Sequence, residues 1–504
     1  MFARSWKLML LIAVLALLAG ACGNAGNDDG GGSPATTTAP EPDEPGTEPD
    51  EPDQTTDEPE PDQTGTEPDE TTDEPDPAPE EPDQTTDEPA PQPEEPDHRH
   101  TFVPIQGVPG VNDSEIKVTS IVTISNNALG TNIASYNDGI EAYFNYINDT
   151  GGIYGRNLVL DKKRDDQLGM NQSQALAMVE EDDSLAAFVA TLLFLGADIL
   201  NEAGVPTFGW GIHLEFSDRP ALFGHVAPNC IGCTHQNVLW IANQVGASRV
   251  GIFGYGNTEN SKLCAEGYRD SIEQYGADAG GVTVEFFDTT IAYGLAGGVA
   301  PQVSEMKDKG VDLILTCLDL NGMRTIAQEL VKQDYRDQVV MYHPNTYNHD
   351  FVASNADLFE GDLVFTQFVP FEANINSDLQ AKFFEYTEGI KLEEQTMVGW
   401  LNAHLFYEGL LAAGPEFDRA SLIQAIRSFT DYSHDGLTIP VDWDRQIDNP
   451  RNNPDADYDL RCLTGVQIQN GAFVQWTGEA GKPWVCWERA REDWHEPEAT
   501  SFAG

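Results

Sequence analysis

Between Asn148 and Arg156 the chain reads Asn-Asp-Thr-Gly-Gly-Ile-Tyr-Gly-Arg, and within these few residues a helix has to stop, a turn has to form and a strand has to start. Upstream, Ile140, Tyr143, Phe144 and Ile147 recur at the spacing of a helix with one buried face, and the paired glycines supply the left-handed backbone that ends it. Downstream, Asn157 to Leu160 is short, extended and apolar. A helix followed this closely by a strand is one step of an α/β wind.

The same step repeats along the chain. Periodicity predicts strands at Ile116 to Ile124, Asn157 to Lys162, Ala186 to Ala190 and Val205 to Phe208, separated by helices at Thr131 to Asn148, Asn171 to Glu181 and Gly196 to Ala203. A second series follows Pro228, with helices at Gln236 to Val245, Ser261 to Tyr275, Val299 to Lys309 and Gly322 to Gln333. Its strands are Arg249 to Tyr255, Val282 to Phe286, Leu313 to Thr316 and Val339 to Tyr342. Strict alternation implies parallel sheets, because parallel strands need crossover helices. Two such windings in tandem imply two lobes.

Several of these segments resemble those of the type I periplasmic binding proteins, the branched-chain amino-acid-binding (Leu/Ile/Val-binding-like) family of ABC importers. The Gly151-Gly152-Ile153-Tyr154-Gly155-Arg156 turn resembles the end of that family's first βαβ unit, and Ala203-Gly204-Val205-Pro206 its step into the fourth strand. Gly310 to Leu315, Gly361 to Val364 and Tyr407 to Gly414 resemble, in order, a lobe-two strand, the return strand and a late helix. The resemblance implies two Rossmann-like (flavodoxin-like) lobes over 112–494, with lobe one at about 112–228 and 368–440 and lobe two at about 229–367 and 441–494. A three-crossing hinge is implied near 226–230, 365–371 and 438–442. It also implies a monomer that captures a small molecule between the lobes and delivers it to ABC permease subunits, with no cofactor. A sensory receptor domain without transport is the alternative, and an extracellular hydrolase a more distant one.

The N-terminus points outside the cell. Arg4 and Lys7 precede an apolar run from Leu8 to Leu18, shorter than the ~20 residues of a membrane-spanning helix, so 1–21 is expected to be a signal peptide. Leu18-Ala19-Gly20-Ala21-Cys22 resembles a bacterial lipobox, although Ala19 stands where the pattern prefers Leu. Lipidated Cys22 would then hold the protein on the outer face of the cytoplasmic membrane, or in the periplasm, with no other membrane contact. Residues 22–100 contain near-repeats such as Glu51 to Pro59 and Glu81 to Pro89, and almost no large apolar side chain to offset the entropy of ordering. They are expected to form a disordered tether, which in polyproline II at about 3.1 Å per residue would reach roughly 240 Å. The net charge of −57 is shared between this tract and the folded region, and such a surface repels nucleic acid and anionic lipid.

In open parallel sheets, ligands bind beyond the carboxyl ends of the strands. The loops there carry Ser125, Asn126 and Asn127, then Thr191 and Leu192, then Trp210 and Gly211, and in lobe two Tyr255, Asp319 and Tyr347. In amino-acid-binding relatives, lobe-one hydroxyls and amides hold the carboxylate, while an acid and a tyrosine of lobe two meet the ammonium; Tyr255 and Asp319 occupy those loops. The loop after strand three departs from the serine-rich family pattern, since it reads Leu192-Leu193-Phe194. A partly apolar or aromatic ligand stacking on Trp210 therefore fits at least as well as an ordinary α-amino acid or a related molecule, the alternative being that Leu192, Leu193 and Phe194 only cap the core beneath the loop.

Apart from Cys22 there are six cysteines, Cys230, Cys233, Cys264, Cys317, Cys462 and Cys486, an even number consistent with disulfides in an exported chain. Cys462 and Cys486 flank a predicted hairpin at Gly465 to Trp476 and are expected to pair, and Cys230 and Cys233 to form a bridge near the first crossing. Cys230-Ile231-Gly232-Cys233 has the spacing of a redox or metal motif but no second pair with zinc-ligand spacing accompanies it, no nucleophile elbow or phosphate loop occurs, and Asp165-Asp166 reads as a solvated turn rather than a catalytic pair. No enzymatic activity and no metal are expected.

Overall fold

The computed structural model describes residues 98–125, 130–226, 232–295, 297–344, 347–448, 460–488, 491 and 493–503. The expected signal peptide, Cys22, the tether up to residue 97, Asn126, Asn127 and Cys230 lie outside the described residues. The last three residues of the expected tether, His98–His100, form a 3-10 turn.

The first sheet has five strands in the order β2-β1-β3-β4-β5: β1 Glu115–Val122, β2 Asn157–Asp165, β3 Ala187–Ala190, β4 Thr207–Gly209 and β5 Leu222–Gly224. Every pairing in it is parallel. Its crossovers are α1 Ser135–Asp149, α2 Asn171–Glu181 and α3 Ala197–Glu202. The turn that follows α1 is built as the glycines require. Gly152 has φ +71° and donates to the Ile147 carbonyl at 2.9 Å, and a Cβ there would sit 2.3 Å from the Arg156 carbonyl oxygen. Arg156 is 1% exposed and ties down the chain that enters the domain. Its guanidinium donates to the carbonyls of Val103 (2.8 Å), Asn112 (2.6 Å) and Tyr154 (3.1 Å) and lies 4.8 Å from the centroid of the Phe102 ring.

The second sheet has nine strands. Its parallel part comprises β6 Arg249–Tyr255, β7 Thr283–Ile291, β8 Leu313–Cys317, β9 Val340–His343 and β10 Leu363–Thr366. The helices over it are α4 Asn237–Val245, α5 Glu259–Tyr275, α6 Ala300–Lys309, α7 Leu320–Lys332, and the short α8 His349–Ser354 and α9 Ala356–Phe359. The chain then returns to the first lobe with α10 Asp378–Tyr386, α11 Glu394–Ala413 and α12 Arg419–Arg427. It finishes with β11 Leu460–Gln469, β12 Ala472–Gln475, β13 Trp484–Glu488 and β14 Glu498–Thr500. β11 adds antiparallel to β10, so an antiparallel extension completes a parallel sheet. β7 is longer than the periodicity implied, continuing to Ile291 through a polar Asp288-Thr289-Thr290 stretch across two register shifts against β6.

α11 is buried along nearly its whole length and packs on α1. The two backbones approach closely because both carry glycine at the crossing. A Cβ at Gly139 would lie 1.9 Å from the Thr396 carbonyl oxygen, and one at Gly399 2.1 Å from that of Tyr136. Beneath them Phe188 stacks on Phe208 at 5.3 Å, and both meet Phe406 edge-on, which joins the first sheet to α11 in one core.

Five cysteines are described and all are disulfide-bonded. Cys462 pairs with Cys486 across β11 and β13, and Cys264 in α5 pairs with Cys317 at the end of β8.

Candidate ligand cleft

The carboxyl ends of both sheets face a common cavity of about 370 Å³. From the first lobe it is lined by Leu192, Leu193, Phe194 and Leu195 after β3, and by Trp210, Ile212 and His213 after β4. From the second it is lined by Tyr255 after β6, Tyr293 after β7, Leu318 and Asp319 after β8, and one face of α5. Gln367 and Ile439, in two of the segments expected to cross between lobes, lie at its back. A cavity of this size falls in the range of small-molecule sites, and an apolar wall with a few polar groups is their usual make-up.

The lobes touch across it. Asn260, at the start of α5, donates its side-chain amide to the Ile212 carbonyl at 3.1 Å and to His213 Nδ1 at 3.3 Å. His213 then carries its proton on Nε2 and donates to the Thr191 carbonyl at 2.8 Å. Burial lowers the His213 pKa, so the neutral ring that this pattern needs is also the favoured form.

Trp210 is 3% exposed, and its indole nitrogen, though buried, has no hydrogen-bond partner in the protein. It approaches the carboxyl of Glu394 at the start of α11 short of full hydrogen-bond geometry. Burial pushes the Glu394 pKa up to about 8, with the Trp210 indole opposing the shift, so the carboxyl is protonated at neutral pH. Across the cavity, the Tyr255 hydroxyl donates to Asp319 Oδ2 at 2.7 Å, while Asp319 Oδ1 accepts the backbone N–H groups of Asn321 (2.8 Å) and Gly322 (3.0 Å) and caps α7. Burial raises the Asp319 pKa, opposed by these three donors. The Tyr293 ring packs edge-on against Tyr255 at 5.2 Å, and its buried hydroxyl has no partner in the protein.

The structure brings Leu192, Trp210, Tyr255 and Asp319 together on the cavity wall. The other loop residues are placed elsewhere. Ser125 is exposed, and its hydroxyl and N–H both donate to Asp165; the Asp165-Asp166 pair shapes a turn by accepting the Gln167 and Leu168 N–H groups, but Asp166 is fully buried rather than solvated as expected. Thr191 is fully buried behind the wall, and the Gly211 N–H donates to His225 Nδ1 at 3.2 Å. Tyr347 is 1% exposed, packed among Phe368, Phe371 and Phe473; its hydroxyl donates to Glu372 and accepts the Phe371 N–H at 2.7 Å. Asn126 and Asn127 lie outside the described residues. Sequence reasoning missed His213 and Tyr293. Tyr293 would have been found had β7 been followed to its true end. Among the described residues no group of three His, Cys, Asp or Glu is placed to hold a metal ion, and no helix is long and apolar enough to cross a membrane.

Two α/β lobes meeting around a cavity at the carboxyl ends of their strands define a two-lobed binding protein of type I. The model of the periplasmic binding protein family matches residues 115–473, and the chain belongs to that family. No curated protein matches it.

Solved structures share the fold at low identity. A fatty acid ABC transporter substrate-binding protein from Thermomonospora curvata is 19% identical, with TM-score 0.59, covering 79% of this chain and 97% of that one. A branched-chain amino acid transporter substrate-binding protein from Streptococcus pneumoniae, in complex with isoleucine, is 15% identical with TM-score 0.57, covering 72% and 100%. A solute-binding protein from R. palustris, in complex with 4-hydroxybenzoate, is 16% identical with TM-score 0.56, covering 74% and 97%.

Proposed function

We propose that this chain is the extracytoplasmic receptor of an ABC importer, anchored through lipidated Cys22, that captures a small apolar or aromatic molecule between its lobes and presents it to permease subunits. It acts as a monomeric binding protein, without catalysis and without a cofactor. The observation that carries this reading is the wall of the cavity. Leu192, Phe194, Trp210, Ile212, Tyr255, Tyr293 and Leu318 give it an apolar surface. A free α-amino acid needs a dense cluster of donors and acceptors at one end, and here Ser125 is exposed and bonded to Asp165, and Thr191 is buried off the cavity wall, while Thr131 lines it. Relatives that carry a fatty acid transporter's name or hold 4-hydroxybenzoate lend support to an apolar or aromatic ligand.

Mass spectrometry of ligand carried through purification, followed by a thermal-shift screen, tests the reading, because a ligand that binds only the native state stabilises it as RT ln(1 + [L]/Kd). Retention and stabilisation by hydrophobic or aromatic compounds is the expected outcome; stabilisation by polar amino acids alone would refute it. For the anchor, Cys22→Ala is expected to release the protein from membranes, and unchanged membrane retention would reject lipidation.

A further inference from the structure

The cavity continues well beyond the cleft. Asn260, Ser261, Cys264, Gly267 and Tyr268 all line it, at the spacing of one face of α5. Asn260 touches lobe one at Ile212 and His213, while the Tyr268 ring meets His235 at 6.0 Å and Tyr342 at 6.3 Å. From Asn260 to Tyr268 the helix advances about 12 Å at 1.5 Å per residue, which sets the length of the cavity. Its middle is walled by the Cys264–Cys317 disulfide, Leu318, Tyr342 and Phe365, with no charged group among them.

The two ends differ in charge. Glu215, Glu259 and Asp319 line the lobe-one end, beside Leu193 and Leu195, which remain 38% and 54% exposed. At the far end Arg461 is the only Lys or Arg among the described lining residues, and it lies close enough to His235 to depress that ring's basicity. Beside it, His235 Nδ1 and Asn237 Oδ1 are buried with no partner in the protein. A guanidinium has five donors, so Arg461 can keep its contacts within the protein and still meet a carboxylate.

We infer that the cavity takes a straight-chain monocarboxylic acid, since an apolar passage about 12 Å long joins the Arg461 end to the leucines of lobe one. Its carboxylate sits at Arg461 and His235, and its methyl end lies at the leucines of lobe one. The inference rests on the solute-binding reading and specifies its ligand. A carboxylate at the lobe-one end would face three acids. A cationic head at that end would find Asp319 already accepting from Tyr255 and two backbone amides and Glu259 facing solvent, which leaves Glu215, 4.0 Å from His213 Nδ1, to meet it. Longer chains can emerge between the exposed leucines.

The test uses calorimetric titration of the full-length mature protein, stripped of carried ligand, with hexanoate, octanoate, decanoate, dodecanoate, decanol and decylamine. Affinity is expected to rise about fourfold per methylene, the equivalent of ~0.8 kcal/mol, and to level off once the chain outgrows the cavity. Decanoate is expected to bind at least tenfold tighter than decanol, and Arg461→Gln or His235→Phe to shrink that ratio toward one, with the melting temperature of the free protein confirming that each variant folds. Equal affinity for decanoate and decanol in the wild type, or tighter decylamine, overturns the placement of the carboxylate and needs no variant. Binding that ignores chain length overturns the straight-chain class. If no acid in the series binds but another apolar compound is retained and displaceable, this inference fails while the solute-binding function stands. If no small molecule of any class binds, both fail.

Discussion

Three residues of the cleft carry different burdens. Trp210 presents a large buried ring to the cavity, and Trp210→Ala is expected to weaken an apolar ligand by ~2 kcal/mol, with Trp210→Phe keeping most of the affinity; titration of the two variants decides it. Asp319, expected from its loop to meet a ligand's ammonium, has both carboxylate oxygens engaged within the protein. Asp319→Ala should therefore lower stability by ~1–2 kcal/mol through the lost cap and the orphaned Tyr255 hydroxyl, read from urea unfolding without ligand. Glu394 titrates at about 8 in the native state against an ordinary value of 4.5. The native state keeps its proton where the unfolded chain has lost it. The stability tied to this group is therefore full below pH 4.5 and declines as pH rises through 8. Glu394→Gln removes the dependence, so the variant should match the wild type at pH 4.5 and exceed it by ~3 kcal/mol or more at pH 8, measured as denaturant midpoints at the two pH values.

At the scale of elements, the join between β9 and β10 depends on one buried carboxylate. Asp362, just before β10, is fully buried and accepts from Arg336 Nη2 (2.6 Å), the Met341 N–H (2.9 Å) and His343 Nε2 (3.0 Å). Removing the carboxylate leaves a guanidinium 8% exposed without its counterion, so Asp362→Ala should destabilise by ~3–5 kcal/mol, far more than loss of the exposed Lys391–Asp350 pair at well under ~1 kcal/mol. Chemical denaturation of the two variants separates these cases. The register of β11 against β10 and β13 brings Cys462 opposite Cys486, and it also sets Arg461 at the inner end of the cavity.

At the scale of the molecule, two lobes joined at a few crossings can rock apart, and a ligand that touches both favours the closed arrangement. Asn260 links them at the cavity, through Ile212 and His213. Asn260→Ala should leave the unliganded protein as stable as the wild type within ~1 kcal/mol but raise Kd by about three- to tenfold, because closure loses two contacts. Small-angle scattering should show compaction of the wild type on binding, and less of it in the variant at equal ligand. An unchanged Kd would remove Asn260 from the closing mechanism.

The α/β class, the parallel sheets, the family and the Cys462–Cys486 pairing were legible in the sequence, because each rests on local periodicity, on glycines that a turn demands, or on cysteines flanking a hairpin. The same is true of Leu192, Trp210, Tyr255 and Asp319, since strand ends can be read wherever apolar runs stop. Tyr293 escaped because β7 continues through polar residues, which paired strands tolerate on an edge and periodicity does not register. Tyr347 and Ser125 sit in loops of the right address but face Glu372 and Asp165, since a loop's position in sequence does not fix the direction of its side chains. Arg461 and His235 share a cavity although 226 positions separate them in the chain. Only the addition of the C-terminal strands to the second sheet brings that charge to the far end of the cavity, because long-range strand pairing is settled by the packed core and not by any local run of residues.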